Sequence, residues 1–155
     1  MFTTRRPCSS DYRLKSTQFE SRTFEFPRPC TAHRVLGCVE GRSSTTWVDF
    51  SLYGHQIVAH LVVGYEAARN ANAVDGDPVP VPHFGLALSV DQFHILAERL
   101  RQKGVSFAIE PHLRFHGQAG EQWTMFFQDP SGNALEFKAM TTPENLFAKN
   151  NVAAD

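Results

Sequence analysis

The chain has 155 residues, 42 % of them hydrophobic, and a net charge of −1. That length suits one domain or two small fused modules with a sizeable core. The near-neutral charge leaves no electrostatic footprint for nucleic acid or an anionic membrane, and no apolar run approaches the roughly 20 residues of a membrane span.

Residues 1–34 are rich in Ser, Thr, Arg and Pro and lack sustained periodicity. Arg5 and Arg6 precede no apolar stretch, so no secretory signal is expected. Cys8, Cys30 and Cys38 have no CxxC spacing. An odd count without a signal is expected of free thiols in a reducing cytoplasm. Residues 23–26 can form a short strand, interrupted by Pro27 and Pro29. The texture changes abruptly at Val35, as a segment translated from a shifted reading frame would make it.

A short strand is expected after Val35. Residues 45–53 then alternate as a strand, with Trp47, Asp49 and Ser51 on one face and Val48, Phe50 and Leu52 on the other. Gly54 turns the chain into a second strand over 55–63, making a hairpin. Residues 64–81 carry Gly, Asn, Asp and prolines and read as a linker. A strand follows over 83–90. Asp91 is expected to cap a helix reaching Lys103, with Phe93, Leu96, Ala97 and Leu100 on its apolar face and Gly104 at its end. Residues 105–109 form a strand, 112–120 a loop or irregular hairpin, and 122–128 and 133–139 the last two strands. Residues 141–155 read as a short helix and a tail.

Asp129-Pro130-Ser131-Gly132-Asn133 is turn chemistry between these last strands. Glu136 stands within the strand that follows, where a carboxylate is costly unless it meets water or a cation. The turns at Gly54 and Gly132 occupy equivalent places, a weak internal repeat of about 78 residues. The chain thus divides into an atypical segment (1–34), the remainder of a first module (35–63), a linker (64–81), a second module (82–140) and a tail (141–155). The fold class is α+β: paired βαβββ modules in an open, cup-shaped mixed sheet, the first module incomplete.

Strand parity puts Ala134 and Lys138 on the face of Glu136, and Gly85 and Ala87 on the face of His83. The repeat sets Val58 against Glu136 and His60 against Lys138, so His60 can line the same cup. One His on a first strand and one Glu on a last strand suit Fe(II), Mn(II), Zn or Ni. Each also has a plainer reading. His83 can be a strand-start histidine bonded to backbone, and Glu136 a strand carboxylate paired with Lys138 or Arg114. His60 can be a core residue or a partner of Tyr53. His112 and Arg114 form a polar pair that can bind an anion, act in acid–base chemistry, or simply belong to a surface loop. His55 and His116 are expected in solvent, His94 on the polar side of the helix, and Glu121 as an edge charge. Phe84, Phe107, Phe115, Phe126 and Phe127 are expected in the core.

Pro82-His83-Phe84-Gly85, Asp129-Pro130-Ser131-Gly132-Asn133 and Leu135-Glu136-Phe137 resemble the vicinal oxygen chelate superfamily of glyoxalase I, bleomycin-resistance proteins and extradiol dioxygenases. Leu36-Gly37-Cys38, Trp47-Val48-Asp49-Phe50 and Gly54-His55-Gln56 extend the resemblance to small predicted extradiol-type dioxygenases. It covers residues 35–149. The resemblance implies a metal held by His83 and Glu136, with Fe(II) or Mn(II) as cofactor, and a small substrate with adjacent oxygens. His112 and His60 are the candidate acid–base groups, and Arg114, Phe126 and Trp47 the candidate substrate contacts; a cytoplasmic location and a homodimer are expected. The sequence departs from the family in three places. No His falls in residues 16–22, where the first-strand ligand belongs. Phe126 stands where ring-cleaving relatives have Tyr. Val58 stands where a glyoxalase-like lyase or isomerase would have its second carboxylate. A non-catalytic binding protein on the same scaffold is the remaining alternative.

Overall fold

A computed structural model describes residues 35–149. The expected strand at 23–26, Cys8 and Cys30 lie outside the described residues. The first antiparallel sheet contains β1 (Val39–Ser43), β2 (Trp47–Leu52) and β3 (His55–His60), in the order β1-β2-β3. Tyr53 and Gly54 join β2 to β3 with φ of 50° and 82°, the positive pair that tight two-residue hairpin turns need. β3 stops at His60, three residues short of the expected end. The alternation in β2 is observed: Val48, Phe50 and Leu52 are buried in the core. Asp49 on the opposite face is held by Arg42 Nε at 3.0 Å.

The expected linker holds a second hairpin. β4 (Asn70–Val74) and β5 (Asp77–Val81) pair across Asp75-Gly76, whose φ values are again both positive, 49° and 79°. Pro78 and Pro80 mask this strand in the sequence. They are tolerated because they alternate along a two-stranded ribbon, where the missing N–H groups disrupt no central ladder.

The second sheet has the order β6-β9-β8-β7, from β6 (His83–Ala87), β7 (Phe107–Arg114), β8 (Gln122–Gln128) and β9 (Ala134–Met140). β6 runs parallel to β9 and the other pairs are antiparallel. β7 runs to Arg114, five residues beyond the expected strand, so His112 and Arg114 belong to a strand and not a loop. Pro111 hid this continuation. The ladder accommodates it with a register shift between Ile109 and His112, on the strand at the sheet's edge.

The helix α1 (Val90–Gln102) connects β6 to β7. Its N-cap is Ser89 and not the expected Asp91. Ser89 is extended, accepts from Gln92 N–H, and receives in return the Gln92 side chain on its own N–H. This reciprocal pair satisfies two orphan donors at once, which Asp91 inside the first turn cannot do. Phe93, Leu96, Ala97 and Leu100 are buried as expected. They join Met125, Phe127, Leu135, Phe137 and Ala139 of the second sheet and Val48, Phe50 and Leu52 of the first in one core. Phe84 departs from expectation: it is 47 % exposed. Residues 143–147 form a short 3₁₀ turn. No helix among the described residues is long and apolar enough to cross a membrane.

Candidate functional site

The core takes one face of the second sheet, and the other face carries the chemistry. Across β7, β8 and β9, His112 stands opposite Thr124 and Thr124 opposite Lys138. In the neighbouring row Phe126 stands opposite Glu136, which pairs with Gly85 of β6. The strand–turn–strand at 129–133 fixes this register. Asp129 accepts from the backbone N–H of Ser131 and Asn133 at 2.8 Å each and from Asn133 Nδ2 at 2.9 Å. Gly132 takes φ 84°.

Gly85 brings β6 close to β9. A Cβ there would lie 1.5 Å from the Glu136 carbonyl oxygen. His83 therefore reaches Glu136 across the parallel ladder, with Nε2 and Oε2 3.4 Å apart. Its Nδ1 is 2.7 Å from the Pro80 carbonyl. A carbonyl only accepts, so Nδ1 carries a hydrogen, and Nε2 is the ring atom that faces the carboxylate. Phe126 packs edge-on against the His83 ring at 5.2 Å.

Glu136 is 8 % exposed. Thr124 Oγ1 donates to its Oε1 at 3.2 Å, and Lys138 Nζ is 3.3 Å from its Oε2. Both plain readings from the sequence are thus realised beside the functional one: His83 bonds to backbone and Glu136 pairs with a lysine. The donor pair nonetheless fits a divalent cation. Two ligands about 2.1 Å from one ion lie about 3.0 Å apart at an octahedral angle and about 3.4 Å apart at a tetrahedral one, so the observed separation is within reach of either geometry. Among the described residues no group of three His, Cys, Asp or Glu gathers, so this chain segment supplies two donors.

A second polar group borders this face. Asp77 Oδ2 accepts from Arg114 Nη2 at 2.5 Å and lies 3.1 Å from His112 Nε2. His112 Nδ1 is 2.8 Å from the Glu110 carbonyl. Arg114 is 3 % exposed, and its Nε has no partner among the described residues. Asp77 comes from β5, and Val79 of the same strand packs with Ile109 and Phe126. Burying Val79 contributes about 1.5–3 kcal/mol to docking this hairpin on the sheet.

His83, Glu136, Phe126, His112 and Arg114 therefore share one face. His60 and Trp47 stand elsewhere, opposite each other in the first sheet. His60 lines an apolar cavity of about 820 Å³ with Phe84, Phe107, Phe127 and Leu135. Phe84 and Leu135 alternate with His83 and Glu136, so the cavity lies against the opposite face of the second sheet. Trp47 is 6.0 Å from the Arg42 guanidinium. His94 packs edge-on against Trp123 at 4.6 Å. Sequence reasoning missed Thr124 and Asp77. The Asp75-Gly76 turn was the available signal for the hairpin that delivers Asp77.

Residues 47–137, more than half of the chain, match the model of the Glyoxalase/Bleomycin resistance protein/Dioxygenase superfamily. The chain belongs to this superfamily. No curated protein matches the sequence. Among solved structures, a superfamily protein from Alicyclobacillus acidocaldarius is 26 % identical, with a TM-score of 0.62 over 75 % of this chain and 85 % of that one. The fosfomycin resistance protein FosX from Listeria monocytogenes is 18 % identical, with a TM-score of 0.53 over 76 % and 84 %. A FosX variant complexed with Mn(II) and 1S,2S-dihydroxypropylphosphonic acid is 16 % identical, with a TM-score of 0.55 over 77 % and 86 %. At these identities the FosX likeness is one of fold.

Proposed function

We propose that this superfamily member is a metal-dependent enzyme in which His83 and Glu136 hold Fe(II) or Mn(II), and that it acts as a dioxygenase on a small substrate with adjacent oxygens. The observation that carries this reading is the His83–Glu136 pair: two lone-pair donors at 3.4 Å with the tautomer set by Pro80. When bound there, a divalent cation supplies Lewis acidity, lowering the pKa of a coordinated hydroxyl and stabilising oxyanion charge.

The chain's own residues do the rest. Thr124 orients the carboxylate through Oε1. Phe126 fixes the His83 ring and, having no hydroxyl, holds no proton for the substrate. Proton transfer falls to His112, which stands in the Thr124 row and whose Nε2 faces Asp77. Lys138 is the partly exposed cation of this face, whereas Arg114 is buried and bound to Asp77. The proposal includes a cytoplasmic homodimer.

A non-catalytic binding protein is the second reading. It is favoured by the two-donor set among the described residues and by Phe126. Metal analysis of the purified protein, followed by oxygen uptake with catechols and added Fe(II), separates the two. Metal retention with oxygen uptake supports the enzyme. Absence of both, with small molecules still bound, supports the binding protein.

A further inference from the structure

We infer that Lys138 is a resident competitor for the cation at Glu136 and sets the affinity of the His83–Glu136 pair for a divalent ion. This rests on the metal-binding reading above. Glu136 has two carboxylate oxygens, and both are engaged. Oε1 takes the Thr124 hydroxyl at 3.2 Å. Oε2 is the oxygen that faces His83, and the Lys138 ammonium stands 3.3 Å from it. A divalent ion shared by His83 and Oε2 meets that ammonium at the same atom. Two like charges at such a distance repel strongly in a partly buried site.

The geometry makes the exchange feasible. Lys138 lies on β9, on the same face as Glu136, and its side chain is 34 % exposed. The ammonium can swing to water while its stem stays packed. On the same face β6 offers Gly85 and Ala87, the latter paired with Lys138, and neither side chain competes for the charge. The alternating neighbours across the ladder are His112 and Thr124, neither of them a carboxylate. Glu136 is the only ion-pair partner of Lys138 among the contacts of the described residues. In the metal-free protein the lysine neutralises a buried carboxylate that would otherwise be costly. When the cation binds, the lysine must give up that pair, and the affinity falls by what the pair contributed.

Titration of the full chain with Mn(II), followed by the loss of the free-ion EPR signal, tests this. Lys138→Met keeps the stem and removes the charge. It is expected to bind Mn(II) about tenfold more tightly than the wild type, the order of magnitude of a partly exposed ion pair. Lys138→Arg keeps the charge and is expected to stay within about twofold of the wild type. His83→Ala is expected to lose binding. Equal affinity in the wild type and Lys138→Met overturns the inference while leaving the metal site standing. The same gain in Lys138→Arg as in Lys138→Met also overturns it, because packing and not charge would then be responsible. No binding in any variant removes the metal reading and the inference with it. Near-UV circular dichroism confirms folding, and Lys138→Gln replaces Lys138→Met if the latter unfolds.

Discussion

Thr124 donates its hydroxyl hydrogen to Glu136 across the β8–β9 ladder, at 3.2 Å in a fully buried position. This bond turns a strand carboxylate into an oriented one. Thr124→Val keeps the shape and removes the donor, leaving Oε1 desolvated. The variant is expected to lose about 1–3 kcal/mol of stability. Urea denaturation measures it. An unchanged midpoint would mean that Glu136 finds another partner.

Gly85 controls the approach of β6 to β9. A methyl group there meets the Glu136 carbonyl oxygen at 1.5 Å, and backbone cannot yield as a flexible side chain can. Gly85→Ala is expected to cost about 3 kcal/mol and to separate His83 from Glu136. Thermal melting checks the first effect. Mn(II) titration checks the second, which a purely global loss of stability would not produce in the fraction still folded.

The two halves of the site were unequally legible in sequence. His83 and Glu136 could be paired because each lies on a strand whose parity is local, and the Asp129–Asn133 turn announces its own hydrogen bonds. The Asp77–Arg114 contact spans 37 residues and depends on a hairpin hidden by its prolines. Local pattern cannot supply such a contact, because it arises from the docking of one unit on another. His60 was misplaced for a related reason. The repeat sets it opposite Lys138 only if both modules present equivalent faces to one cup, and the structure instead puts it beside the cavity on the other side of the second sheet. Phe84 alternates with His83, and period-two reasoning gives its face but not what covers that face.

Asp77 holds Arg114, a guanidinium almost completely removed from water. Asp77→Ala leaves that charge buried and unpaired, and the expected loss is about 3 kcal/mol. Asp77→Asn keeps an acceptor oxygen and is expected to lose less. If chemical denaturation gives equal losses for the two variants, the aspartate acts through the hairpin's packing and not through its charge.

Cys38 sits in the core, and burial pushes its thiol above the ordinary range. The thiolate is the nucleophile, so alkylation of the native protein is expected to be slow. Iodoacetamide labelling with mass spectrometry is expected to modify Cys38 only once denaturant is added. Rapid modification without denaturant would show that the segment joining Val35 to β1 opens readily.

Glu121 holds the turn before β8. Its Oε2 accepts from the Gly117 N–H at 2.7 Å, and this bond lowers its carboxyl below the ordinary range, with Thr141 adding a smaller effect. The lowered value belongs to the folded state, so between the two values the unfolded chain binds more protons. Stability from this group is therefore full above the ordinary glutamate range and is lost as pH falls through the folded value. Glu121→Gln removes the titration. Wild type is expected to exceed the variant in urea midpoint at about pH 7, with the difference shrinking towards about pH 3. A difference independent of pH would assign the bond's contribution to geometry rather than to charge.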